Sequence, residues 1–420
     1  MSDAWVTYGE AARTAAGFFW KSGWAFVLGY SISAAIQAFV PKQRLTAHMG
    51  AADAGSVGLA TVFGAISSSC SFAALSAARA LVQKGAHFVA AVAFMFASTN
   101  LVIELGILIL IFLGWQFLAA EIIGGIVLIA ISSMLIRLTY PRRWLQDARE
   151  KVHEEAGGGE EDFDWKQRMA SFEGWCRVGD NFAAEWGMVW QEILIGFTLA
   201  GFIAVYVPDA FWQALFLSEA AAANPDNFWI VLQNAAVAPF VAAATFIGSM
   251  GNIPLATVLS SGGVLFAGIM GFIYSDLMVP PLVKVNAKYY GWRVALYIAG
   301  IMYVSIIITA IILHYGFYWL DLMPETSREA GEVAQFALDY TFYMNLVAVA
   351  LTAVMLWLRR RHRRLGGGEG VHDHDGNGGI GVQDVVTGVF ILALLGGGAA
   401  LLVSGASAGA AGAAGAAGAA

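Results

Sequence analysis

Long apolar runs alternate with short charged ones along this chain. Residues 85–136 pass without a Lys or Arg, and so do residues 178–283. A bilayer core takes about 20 apolar residues per helix. On that measure the runs predict spans at 18–40, 86–113, 116–138, 188–208, 264–283, 293–315, 338–358 and 385–404. Two further apolar stretches, 52–80 and 228–262, are punctuated by Gly, Ser, Asn and Pro. Irregular backbone survives at membrane depth only where protein or a water-filled cavity satisfies its polar groups. The expected fold is an all-α polytopic membrane protein with about eight full spans plus two interrupted re-entrant hairpins.

Basic residues near span ends set the orientation. Arg142, Arg143, Arg149, Lys151, Lys166, Arg168 and Arg177 place 139–177 on the cytoplasmic side, and "RRRHRR" at 359–364 joins it. The loop 209–227 has no Lys or Arg, and 316–336 has only Arg328, so both read as outside. Lys284, Lys288 and Arg293 mark another inner turn. Lys42, Arg44, Arg79 and Lys84 put both ends of 52–80 inside, so that stretch enters and returns. Both ends of 228–262 fall outside by the same reasoning.

These assignments divide the chain. Residues 1–140 form a first membrane repeat, 141–185 a charged cytoplasmic linker and 186–320 a second repeat. Residues 321–364 hold an additional span with a basic inner end. A flexible Gly-rich linker (365–384), a last span (385–404) and an Ala/Gly tail (405–420) follow.

The two repeats align without gaps at a shift of 178 residues. "CSFAALSAARALVQKGAHFVAAVAFMFAS" (70–98) falls on "GSMGNIPLATVLSSGGVLFAGIMGFIYSD" (248–276), pairing Ser71 with Ser249, Gly85 with Gly263 and Phe88 with Phe266. The charge pattern makes the copies antiparallel. Inverted repeats with interrupted segments at matching positions mark many secondary transporters, whose site lies where the broken elements meet.

The candidate chemistry follows from that placement. Ser68, Ser69, Cys70 and Ser71 form one hairpin tip, and Gly251, Asn252 and Pro254 the other. Pro254 lacks a backbone donor and turns Ile253 away from helix. Asn100 joins the same polar patch. These eight are the candidate solute-binding residues. Asp276 and Glu104 are acids at membrane depth and candidate coupling groups. The plain alternatives are small residues that let helices pack closely, ion-paired structural acids, and for Cys70 an ordinary buried thiol. Glu121 and Glu192 lie nearer span ends and read as solvated. Trp20, Trp115, Trp292 and Trp319 read as an interfacial belt.

Composition agrees with the pattern. Hydrophobic residues make up 59% of the 420, charged residues 13%, and mean hydropathy is +0.67. A net charge of −7 spread over loops suggests no nucleic-acid partner. Two cysteines, Cys70 and Cys176, give neither a CxxC pair nor a disulfide framework. Cys176 reads as part of an amphipathic inner-surface helix leading into the next span. "HDHD" (372–375) has metal-binding residue types, but in a flexible linker with too few fixed ligands for a defined site. No metal site or cofactor is expected. No GxxxxGK[ST] occurs, so the chain does not hydrolyse ATP itself.

The Ser/Cys-rich stretch before "KGA" (84–86), together with "MGNIPLATVLSSGG" (250–263) and "YSDLMVPPLV", resembles the predicted-permease family that includes the ArsP-type organoarsenical exporters. The likeness covers 15–140 and 185–320. It implies a multi-span inner-membrane permease, not an enzyme, that exports a soft metalloid or organoarsenical-like solute by alternating access. Its partners would be that solute and membrane lipid, with a homo-oligomer left open. Where the family often pairs cysteines, this chain has Cys70 alone, and a single thiol cannot chelate. The alternatives are a divalent or heavy-metal ion exporter or channel, a membrane thiol oxidoreductase using Cys70, and a structural subunit.

Overall fold

The computed structural model describes residues 3–39, 49–51, 53–67, 71–139, 165–245, 248–324, 336, 338–364 and 382–417. Ser68, Ser69, Cys70 and the HDHD linker lie outside these residues. Among the described residues every regular element is helical. The helices are α1 (Asp3–Phe39), α2 (Ala54–Ser67), α3 (Ser71–Gln83), α4 (Phe88–Asn100), α5 (Ile103–Phe112) and α6 (Trp115–Thr139). Then come α7 (Trp165–Ala170), α8 (Phe172–Tyr206), α9 (Asp209–Phe216), α10 (Ser218–Ala223), α11 (Phe228–Thr245) and α12 (Ser249–Ser261). The last are α13 (Phe266–Ile273), α14 (Pro280–Tyr290), α15 (Trp292–Trp319), α16 (Tyr340–Arg364) and α17 (Val382–Ala417), with a 3-10 turn at Asp276–Met278.

Six helices are long and apolar enough to cross a bilayer: α6, α8, α11, α15, α16 and the 384–401 part of α17. The pair α4 and α5, bent by 40°, makes a seventh when taken as one span. The chain is therefore an all-α polytopic membrane protein. The structure refines several expected spans. The run at 18–40 is the second half of a 37-residue helix. The run at 264–283 is divided into α13, the 3-10 turn and α14. Helix α11, expected as one limb of a hairpin, is by itself long enough to cross. Cys176 sits fully buried in the long helix α8 rather than on a surface segment, because α8 packs along both α1 and α16.

The 178-residue register reappears in the folded chain. Ser71–Gln83 and Ser249–Ser261 are both 13-residue helices that begin 178 residues apart. The helices before them end at Ser67 and Thr245, also 178 apart, and those after them begin at Phe88 and Phe266. The packing repeats as well. In the first copy α2 lies on α4, α3 on α4, and α4 on α6; in the second α11 lies on α13, α12 on α13, and α13 on α15. The copies also exchange a contact, since α3 packs on α14 of the second copy and α12 on α5 of the first.

Each copy closes with a glycine that only a left-handed backbone accommodates. Gly85 has φ +94° and Gly263 φ +81°, conformations that cost residues with a Cβ far more. Two residues later the chain is tied down. His87 N donates to Met49 O at 2.7 Å, and Leu265 N donates to Asn234 Oδ1 at 3.2 Å. The Met49–His87 bond joins the two ends of the first broken stretch, so the chain between them travels out and back.

Helices α1 and α8 pack against each other along much of their length, and α16 and α17 pack on both. Gly201 lets the backbones meet, since a Cβ there would lie 2.6 Å from Ala15 N. The amide of Asn345 on α16 donates to Trp20 O at 2.8 Å and accepts from Trp24 N at 3.1 Å. Those are the two groups a regular helix pairs with each other, so α16 grips the backbone ladder of α1. Lys21 donates to Asp339 at 2.9 Å just before α16 and holds that carboxyl below its usual range. His362 and Asp180 close the other end of α16 against α8.

Candidate functional site

The two breaks meet in the interior. Ser71 opens α3 and is 2% exposed. Its hydroxyl donates to Asp276 Oδ2 at 3.2 Å, and Asp276 is fully buried in the turn after α13. The tip of the first copy is thereby fastened to the break in the second. The Thr99 hydroxyl and the Leu277 N–H also face this carboxyl, while Oδ1 has no hydrogen-bond partner. Asn100 is 1% exposed beside Thr99; its amide donates to Phe96 O at 3.0 Å and to Thr99 Oγ1 at 3.2 Å. Asn100 thus reaches Asp276 through Thr99.

The second tip is tighter than the sequence suggested. Helix α12 is already formed at Ser249 and runs through Ile253 and Pro254. The expectation that Pro254 turns Ile253 out of helix is therefore corrected. Residues 251–259 are buried, and that packing outweighs the local bias of proline. Gly251 N bonds Gly248 O at 3.1 Å in the opening turn. Asn252 is fully buried; its Oδ1 accepts from Thr245 at 3.5 Å and its Nδ2 has no partner.

Helix α8 touches the second tip and reaches the first through α1. A Cβ at Gly248 would lie 2.6 Å from Glu192 Oε2, so the Glu192 carboxylate rests on the second tip. Seven residues earlier on the same helix, Glu185 accepts from Ser33 at 2.6 Å and from Gln37. Gln37 also donates to the carbonyl of Ser67, at the end of α2, at 3.3 Å. Seven residues make two helical turns, so both carboxylates lie on one face of α8.

Glu121 and Glu192 were expected to be solvated, and for Glu121 the structure differs. Glu121 is 2% exposed while Glu192 is half-buried, and both lie within Coulombic reach of Asp276. The Tyr274 hydroxyl donates to Ala120 O at 2.9 Å and reaches Glu121 O at 3.3 Å, binding α6 to the chain beside Asp276. Glu104 is 1% exposed and packs on α1, where a Cβ at Gly29 would fall 1.9 Å from its Cγ.

Of the described candidates, then, Ser71, Asn100 and Asp276 come together, and Gly251, Asn252 and Pro254 line the neighbouring tip. Sequence reasoning missed Thr99, Tyr274, Gln37 and Glu185 and set aside Glu121 and Glu192. The spacing of Glu185 and Glu192 in a stretch without Lys or Arg was the available signal.

A predicted-permease family model matches residues 7–315. The chain is also 35% identical over 309 residues to a Mycobacterium tuberculosis (strain ATCC 25618 / H37Rv) protein described as "Putative permease Rv2963"; the match covers 71% of this chain and 75% of that protein. No solved structure matches. With both breaks, both tips and the paired acids inside the matched region, the chain belongs to the predicted-permease family.

Proposed function

We propose that this protein is a secondary permease that moves a small solute by alternating access, with the solute held between the two tips. The observation that carries the reading is the Ser71–Asp276 contact, which joins the break of one repeat to that of the other at full burial. An acid and two broken helices at membrane depth are costly to keep for scaffolding alone. The exchanged packing of α3 on α14 and α12 on α5 supports an inverted pair, in which one tip opens inward and the other outward.

The likeness to organoarsenical exporters favours efflux of a soft metalloid or organoarsenical-like compound across the inner membrane, with 139–177 and 359–364 in the cytoplasm. Ser68, Ser69 and Cys70 would contribute from the first tip, with Asn100, Gly251, Asn252 and Pro254 facing them. A resistance screen in a transporter-deficient host tests this, using trivalent organoarsenicals, inorganic metalloids and divalent metals. Resistance to an organoarsenical that Asp276→Asn or Asn252→Ala abolishes, at unchanged membrane abundance, is the expected result. Full resistance in both variants would remove the site, and resistance confined to divalent metals would replace the solute class.

A further inference from the structure

We infer that Arg79 on α3 and Tyr289 on α14 form the latch of an inward gate, and that parting this pair opens the solute site to the inner side. The inference rests on the permease reading and adds to it the residues that gate the inner route.

The gated seam starts at the site. From the Ser71–Asp276 contact, α3 and the turn leading into α14 run side by side. Both head for the ends marked by Lys84 and Lys288, which the basic-residue rule places inside. Ser71, Leu75 and Arg79 recur every four residues and so share one face of α3. Leu75 is fully buried between the other two. Arg79 lies about 12 Å along the helix from Ser71.

At that end the first copy is fastened to the second. The Arg79 guanidinium sits over the Tyr289 ring, 4.7 Å from its centroid. The Ser76 and Tyr289 hydroxyls share a hydrogen bond at 2.9 Å. Phe88 meets Tyr290 edge-on, with ring centroids 6.0 Å apart. Ser76 is exposed, Arg79 and Tyr289 are half-buried, and Phe88 and Tyr290 are buried. The seam thus has a polar rim over an aromatic floor.

The other half of the inverted pair is the internal contrast. The 178-residue shift carries α3 onto α12 and α5 onto α14, so the contact of α12 with α5 is the equivalent seam. Ser76 and Arg79 correspond there to Pro254 and Thr257, and Tyr289 and Tyr290 to Ile111 and Phe112. All four counterparts are buried and none is charged. Phe266, the counterpart of Phe88, packs on Phe117 at 5.0 Å. One seam is closed by apolar burial, the other by a cation on a ring. A cation–π contact at a half-buried site is directional but weak, which makes the inner seam the easier to part. Its release lets α3 swing from α14 and uncovers Leu75, then Ser71 and Asp276, with no covalent bond made or broken.

The test is thiol accessibility in membrane vesicles. The full chain carries Leu75→Cys as the reporter inside the seam, with Cys70 and Cys176 changed to Ser. A charged, membrane-impermeant methanethiosulfonate is added to inside-out or right-side-out vesicles, and labelling is expected to be slow from either side. Arg79→Gln and Tyr289→Leu should each raise the rate about tenfold from the inner side alone. Tyr289→Phe keeps the ring under the cation and should stay within about threefold of the intact latch. An unchanged rate in Arg79→Gln or Tyr289→Leu, an equal rise from both sides, or a rise in Tyr289→Phe as large as in Tyr289→Leu would overturn the inference. The labelling needs no solute, so the latch can fail while the resistance screen succeeds, and the reverse.

Discussion

Asp276 makes the heaviest demand of any side chain here. It is fully buried, keeps one oxygen without a partner, and accepts a hydrogen bond on the other from Ser71 of the first repeat. Removing the Ser71 hydroxyl leaves a buried oxygen of Asp276 unsatisfied, at a cost of about 1–3 kcal/mol. Ser71→Ala is therefore expected to slow transport about tenfold without lowering membrane abundance, read as initial rates in vesicles. Ser71→Thr keeps the hydroxyl and should retain most of the rate. Asp276 and Asn252 were legible in the sequence because polar residues in apolar runs are conspicuous. Glu121 and Glu192 were not, because their placement depends on where helices begin. Helix α6 starts at Trp115 and α8 at Phe172, which sets both acids inside long helices rather than at span ends.

At the scale of elements, the breaks are held by close backbone approach. A Cβ at Gly64 would lie 2.5 Å from Phe94 O and 3.0 Å from Ser98 N, so α2 and α4 touch through glycine. Gly64→Val is expected to cost about 1–3 kcal/mol by overpacking, seen as a lowered melting temperature in detergent. It also shifts α4, which carries Thr99 and Asn100. Asn345→Ala removes the grip of α16 on the α1 backbone. Hydrogen bonds between membrane helices contribute about 0.6 kcal/mol on average, up to about 1.7, and the loss should appear in the same melting assay. The Lys21–Asp339 tie stands at neutral pH. Because the Asp339 carboxyl is held low, the tie is lost only as pH falls below the ordinary carboxylate range. Element boundaries were partly readable: the glycines at 85 and 263 and the 178-residue shift located the turns. The extent of unwinding was not, since Pro254 reads locally as a breaker and only its buried setting shows that α12 continues through it.

At the scale of the molecule, two five-helix copies carry the tips, while α1 and α8 form a pair that touches both. Helices α16 and α17 brace that pair from beyond the family-matched region. The polytopic helical fold followed from hydropathy alone, because a bilayer leaves a chain few alternatives. The meeting of the two breaks did not, because nothing local in the sequence records which interrupted segments become neighbours. Cross-linking in native membranes tests that meeting directly. The chain would carry Ser71→Cys and Asp276→Cys, with Cys70 and Cys176 changed to Ser, and Met49→Cys with His87→Cys would serve as the positive control. Oxidation should join positions 71 and 276 in most molecules; a control that cross-links while this pair does not would contradict the account.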